Sequence, residues 1–529
     1  MQIFTIVALL MAIAVGLAMA ARRLQLPYAV ALVLAGMALA LVPGLPAHLG
    51  EVRLDPQLAM AVFLPPLLQA SAFFTPLRDF RRNLRPILLL AVGLVAFTTV
   101  SVGWVTKLVF PELPWALCFA FGALISPPDA AAAAAVLSAI RLPRRIITVL
   151  EGESLLNDAS GLVLYNFAIA AIATGTFSAW EAALSFGWLA AGGMLAGWAA
   201  GRLCSVISAR LSDPMLEITV SFLAAFGSFA LAEWLHASGV LAAVACGLTI
   251  AWHAPDWMTP RTRIEAKAVW DFAVFLLNTV VFTLIGLELR GIFDRFGGLP
   301  PLAFVGKALL LSGALILSRF IWTFPVAYGH RALSPAIRRV DPYPPWQHIM
   351  LICWAGMRGV VSMAAALAIP EGIPGRDAVL ALTFIAIFVT LVLQGTTLGP
   401  LARLLGLGTQ QVHPPAADAP VRRRLAEAAV AHLKAKHEDE MVGPFARDLT
   451  PAFAQRAEAE RLREANPAAA EAERITLLGL KLDALAAQRA LLLRLYRASE
   501  VDDHTMRALT DELDLEELRL RRTGKEHVA

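Results

Sequence analysis

Two polar clusters interrupt long apolar stretches, and their residue types suit ion chemistry. The first opens with Ser126-Pro127-Pro128-Asp129, passes through a run of alanines, and closes with Glu151-Gly152-Glu153-Ser154-Leu155-Leu156-Asn157-Asp158. The second is Trp354-Ala355-Gly356-Met357-Arg358-Gly359. An ionisable side chain in a bilayer costs roughly 2.5–3.5 kcal/mol on insertion scales, so such residues usually mark an ion or proton pathway. Asp158 and Asp129 offer carboxylates, and Ser154, at i−4 from Asp158 on the same helical face, offers a hydroxyl. Paired prolines remove helical amide donors, which frees the carbonyl of Pro128 or a neighbour. Together these oxygens make a site for a small bare cation.

The exchange logic follows from desolvation. A carboxylate taken out of water must be neutralised, by a proton or by a metal ion. If both compete for Asp158, and one of them must be bound before the site crosses the membrane, exchange is obligatory. The sequence contains no GxxxxGK[ST] phosphate-binding loop, which argues against an ATP-driven pump, and no cofactor is expected.

A buried arginine also needs a partner. Glu153, beside Ser154, is the expected partner of Arg358, with Asn157 at i+4 bonding the same carboxylate. This set would hold the two interrupted segments together rather than carry ions. Arg319, inside another apolar block, requires a carboxylate as well, for which Glu151 is a candidate. The four cysteines, Cys118, Cys204, Cys246 and Cys353, have no metal-ligand spacing and read as small buried hydrophobes.

The elements that must position these residues are membrane helices. The chain is 58% apolar and 16% charged, against about half and a quarter in soluble domains. Residues 1–405 form apolar blocks, whereas 410–529 read as an ordinary charged sequence. Windows of about 20 apolar residues fall near 2–20, 27–43, 57–76, 86–110, 114–139, 150–175, 182–209, 215–235, 238–254, 266–289, 301–329, 346–369 and 376–404, thirteen in all. The first ends in small residues like a signal peptide. It lacks a basic start, and Arg22-Arg23 follow it, so it reads as a retained helix with its N-terminus outside.

Loop charge tests the count. Alternating from that start, inner loops hold sixteen Lys and Arg residues (22, 23, 78, 81, 82, 85, 141, 144, 145, 210, 261, 263, 267, 331, 338, 339) and outer loops four (53, 290, 295, 376). Basic residues collect on the cytoplasmic side, which places the C-terminal tail there too. The interrupted fifth and twelfth windows are seven apart. Windows 1–6 and 8–13 could therefore be inverted six-helix repeats whose broken helices cross near the midplane. A Pro-rich linker, 406–418, leads to a helical tail, 419–529, with helices expected near 419–440, 450–464, 468–499 and 502–521.

At these residues the chain resembles sodium–proton antiporters of the cation–proton antiporter superfamily, in the NhaP-like and NHE-like branch. The motif from Glu151 to Asp158 carries most of the likeness. Ser126–Asp129, Trp354–Ser362 and the stretch from Asn278 to Leu289 are similar to further family elements. Pro128 stands where threonine is usual, which removes a hydroxyl and an amide donor; Ala355 and Met357 replace the commoner Gly and Leu.

The resemblance implies a homodimer in the bacterial inner membrane. A rigid dimerisation part would span about 1–76 and 182–289, and a moving core about 86–175 and 301–405. Na⁺ would bind at Asp158, Asp129, Ser154 and the backbone near Pro128. Glu153, Asn157 and Arg358 would be structural. The Asn157-Asp158 pair resembles the electroneutral branch, which implies one cation per proton. The rival readings are a K⁺/H⁺ exchanger of the same fold, a cation channel with a fixed pore, and an intramembrane aspartyl protease. The last leaves Asn157, Glu153 and Arg358 without a role. Nothing in the sequence suggests a nucleic-acid partner.

Overall fold

The computed structural model describes residues 16, 27–41, 59–129, 132–133, 142–174, 179–296, 300–333, 335–407, 419–439, 441–498 and 500–528. The window near 2–20 lies outside these residues apart from Gly16, as do Arg22, Arg23, Arg53 and Arg141 and most of the linker. Among the described residues every regular element is helical. The chain divides into two units, Met1–Gln410 and Gln411–Ala529.

The first unit runs α1 Tyr28–Ala40, α2 Met60–Phe74, α3 Leu84–Val109, α4 Trp115–Ile125, α5 Arg144–Thr174, α6 Ala179–Ser208, α7 Pro214–Trp234, α8 Gly239–Trp257 and α9 Pro260–Phe296. It continues with α10 Leu302–Leu333, α11 Trp346–Trp354, α12 Val360–Leu367 and α13 Arg376–Leu404. Seven of these are long and apolar enough to cross a membrane by length and composition. Large apolar side chains face outward along them: Trp104 and Leu108 on α3, Trp188 and Leu195 on α6, Leu223 on α7, Leu310 and Leu317 on α10. Exposed apolar surface on this scale needs an apolar surround; the unit is a multi-pass membrane structure.

Inside the belt, the largest apolar core joins α1, α3, α4, α5 and α9 to α13. It encloses the two interrupted helices. The first interruption needs only sequence to explain it: α4 stops at Ile125, and Pro127 and Pro128 cannot supply the next amides. The alanine run beyond Asp129 lies mostly outside the described residues. The second opens after Trp354, runs without helical structure over 356–359, and resumes at Val360.

The second unit contains α14 Ala419–Ala435, α15 Gly443–Ala465, α16 Pro467–Arg497 and α17 Asp503–Val528. The helix expected from 450 starts earlier, because Pro444 occupies its first turn, where a missing amide costs nothing. Arg489 on α16 pairs with Asp514 and Glu517 on α17.

Candidate functional site

The long helix α5 carries both polar sets, and helical spacing sends them to different faces. Glu151, Ser154 and Asp158, at i, i+3 and i+7, line one cavity of about 690 Å³. Glu153 and Asn157, at i and i+4, turn inward and are 1% and 0% exposed. Gly161 lets the helix close on the first interruption: a Cβ there would sit 2.4 Å from Pro127 Cγ.

The two interruptions meet. The Asp129 amide donates to the Met357 carbonyl at 2.7 Å. The orphan carbonyls at the end of α4 are capped from the other segment: Arg358 Nε donates to Ile125 O at 2.6 Å, and Ser362 Oγ to Leu124 O at 2.7 Å. A guanidinium at a helix C-terminus also meets the negative end of the helix dipole. Arg358 further donates to the Gly356 carbonyl, and its own amide donates to Thr390 Oγ1 at 3.2 Å. Asp129 lies against Gly359, at the start of α12; a Cβ on Gly359 would fall 1.8 Å from Asp129 Oδ2. Glycine is required there for space.

Asp129, Ser154 and Asp158 all line the cavity, together with Pro127, Gly359 and Ser362 from the crossing. Asp158 is 8% exposed. The opposite wall comes from α2 and α9, through Ser71, Phe74, Lys267, Asp271 and Asn278. Lys267 and Asp271 pair at 3.1 Å with side chains 59% exposed, so they mark the open end. The site offers oxygens on a carboxylate pair and a hydroxyl, reached through an open vestibule.

The ion-pair assignments need correction. Glu153 does not pair with Arg358; it holds Arg319, through Nη1–Oε1 at 2.5 Å and Nη2–Oε2 at 2.7 Å. Arg319 Nε donates to Ile352 O at 3.0 Å, which ties α5 and α10 to α11. Glu151 is therefore not the partner of Arg319; it lines the cavity. Asn157 bonds not the Glu153 carboxylate but the Pro128 carbonyl, through Nδ2 at 2.8 Å. That carbonyl, expected to face the ion, is thus engaged by Asn157, and Pro127 rather than Pro128 lines the cavity. The reason is geometric: Glu153 and Asn157 share a face, but α10 meets the first residue and the unwound segment after α4 the second.

Residues missed from the sequence are Ser362, Thr390 and the α9 wall residues Lys267 and Asp271. Thr390 had a signal: Thr390, Gln394 and Thr397 form a polar stripe at i, i+4 and i+7 in the largely apolar α13.

Unwound helices crossing inside a membrane, with a buried carboxylate at the crossing, define a secondary transporter rather than an enzyme. The family model "Sodium/hydrogen exchanger, transmembrane" matches residues 6–404, and the chain belongs to that family of cation/proton antiporters. An uncharacterized Na⁺/H⁺ exchanger of Mycobacterium tuberculosis is 32% identical over 97% of this chain and 95% of that protein. The Na⁺/H⁺ antiporter NhaP of Pseudomonas aeruginosa is 34% identical over 66% of this chain and 82% of its own length. The sodium proton antiporter MjNhaP1 of Methanocaldococcus jannaschii shares the fold, with a TM-score of 0.60 at 18% identity over 78% of this chain and all of that one.

Proposed function

We propose that this protein exchanges Na⁺ or Li⁺ for H⁺ across the bacterial inner membrane, one for one, by alternating access. The observation that carries the reading is the placement of Asp158: nearly buried, at the crossing of both unwound segments, and on the wall of an open cavity. Asp129 and Ser154 complete the oxygen set. A metal ion or a proton neutralises Asp158, and the site then crosses carrying the same charge with either load. Asn157, an amide where a second acid would add charge, keeps the stoichiometry electroneutral. Such exchange serves pH and sodium homeostasis.

The sixteen-to-four loop charge bias puts the arginine-rich ends in the cytoplasm. Lys267 and Asp271 follow Arg261 and Arg263 along α9, so the cavity opens on that inner side; the same charge alternation makes the N-terminus periplasmic and the C-terminal unit cytoplasmic. The interrupted helices sit at matching places of two inverted repeats. In a homodimer, 1–76 and 182–289 form the fixed part, and 86–175 and 301–405 the moving core.

The test is cation-induced proton flux in everted vesicles with Na⁺, Li⁺ and K⁺, for wild type and Asp158→Asn. Flux with Na⁺ and Li⁺, lost in Asp158→Asn, is expected. Flux surviving the substitution overturns the shared-carboxylate mechanism. Pro128 in place of threonine removes a hydroxyl from the crossing, and a response to K⁺ alone would make the protein a K⁺/H⁺ antiporter.

A further inference from the structure

Behind the wall of the vestibule lies a second, much smaller cavity. On α2, Ser71 and Phe74 line the vestibule, whereas Gln69 lines the small cavity. On α9, Lys267 and Asp271 line the first, and Thr262 and Trp270 the second. Glu217 and Ser221 of α7 and Trp257, the last residue of α8, complete it. Its volume is about 10 Å³, close to the least that holds one water molecule.

The lining is polar and nearly closed to solvent. Gln69 and Glu217 are each 2% exposed, and Thr262 is fully buried. Gln69 Nε2 donates to the Ser221 carbonyl at 2.6 Å, which fixes the end of the amide that carries the oxygen. Ser221 Oγ accepts the Trp270 indole N–H at 3.2 Å. Thr262 hydrogen-bonds the Glu217 side chain. Glu217 stands in the first turn of α7, where the helix dipole favours a carboxylate. Three atoms are left over: Gln69 Oε1, Glu217 Oε2 and Trp257 Nε1 have no hydrogen-bond partner among the described residues. A buried polar atom left unpaired is destabilising.

These three atoms have one common complement. Two are acceptors and one is a donor. A water molecule accepts from the indole and donates to both oxygens, and about three bonds is the usual number for a buried water. A bare alkali cation would suit the two oxygens but would face the positive end of the indole N–H. A proton on Glu217 could serve Gln69 Oε1 but would leave Trp257 Nε1 unpaired.

We propose that this cavity is a binding site for a single water molecule, which accepts the Trp257 indole N–H and donates to Glu217 Oε2 and Gln69 Oε1. The water joins α2, α7 and α8, and through Thr262 and Trp270 also α9, behind the face that these helices present to the vestibule. The inference rests on the fold and not on the transport reading, because Asp158 takes no part in it.

A double-substitution cycle in the full-length protein tests the link. Gln69→Leu and Trp257→Phe each remove one partner of the water, and each lowers the melting temperature by about 1 °C or more. The double variant falls no further than the worse single one, because the second substitution removes an atom that the first had already orphaned. Losses that simply add would mean that nothing bridges the two side chains, and overturn the proposal. A density map sharp enough to show waters should carry one peak within about 3.2 Å of all three atoms. Side chains closed on one another with no peak between them overturn it as well, and the map decides alone if a variant is not recovered.

Salt identity separates water from a cation. With Asp158→Asn in place to remove the transport carboxylate, melting temperatures in NaCl, KCl and choline chloride of equal ionic strength should agree. A rise with Na⁺ or K⁺ that Glu217→Gln abolishes would make the cavity a cation site and overturn the water assignment.

Discussion

Glu153 and Arg319 face each other through two parallel hydrogen bonds of 2.5 and 2.7 Å, with side chains 1% and 2% exposed. Removing one member of such a pair leaves a charge buried alone, at a cost of about 3–5 kcal/mol. Arg319→Ala therefore lowers the melting temperature sharply, whereas Glu153→Gln with Arg319→Met recovers much of the loss. Thermal unfolding in detergent checks both; a single Arg319→Ala variant as stable as wild type contradicts the pairing.

Arg358 is held differently, by carbonyls of Ile125 and Gly356. Arg358→Ala uncaps the end of α4 and loosens its contact with the second segment. Each carbonyl left unsatisfied costs about 1–3 kcal/mol. The expected outcome is a destabilised protein in which Arg358→Lys recovers only part, since a lysine lacks the planar fork. Equal stability of the Lys variant and wild type would show that charge alone suffices.

Gly359 is a question of space. Gly359→Ala places a methyl group on the Asp129 carboxylate and pushes it out of the site. Cation-driven proton flux should fall about tenfold or more, with yield and monodispersity close to wild type. Normal flux would mean that Asp129 is not needed where it stands.

Asn157 holds the first break through Nδ2 to Pro128 O at 2.8 Å. Asn157→Ala is expected to cost about 1–3 kcal/mol through the unpaired carbonyl. The same change tests the separation of roles on α5: the protein loses melting temperature, and half-saturation for Na⁺ shifts less than in Ser154→Ala, whose residue lines the cavity.

Asp341, in the link before α11, gives a pH prediction. Partial burial works to raise its carboxyl, but the Arg145 hydrogen bond and charge, with Arg331 beside it, outweigh that and hold it below the usual aspartate range. A folded pKa lower than the unfolded one gives stability that is fully present above the unfolded value, about 3.9, and is lost as pH falls through the folded value. The melting-temperature gap between wild type and Asp341→Asn should then be constant from pH 8 to pH 5 and close only below about pH 4. A gap that closes between pH 7 and pH 5 contradicts this sign.

Sequence alone determined the helical class, the two breaks and the face that Ser154 shares with Asp158. Length and apolar content fix a membrane helix, because lipid offers its backbone no other partner. Proline at 127 and 128 forces a break whatever surrounds it. The spacing of Ser154 and Asp158 places them on one helical face, because that relation is local and needs only 3.6 residues per turn. Only the tertiary structure decided which partner each buried charge meets. Glu153 and Asn157 share a face of α5, but nothing along the chain says that Arg319 rather than Arg358 arrives opposite the first, or a proline carbonyl opposite the second. Those pairings are made across helices far apart in sequence, and packing, not spacing, sets which side chains come within 3 Å.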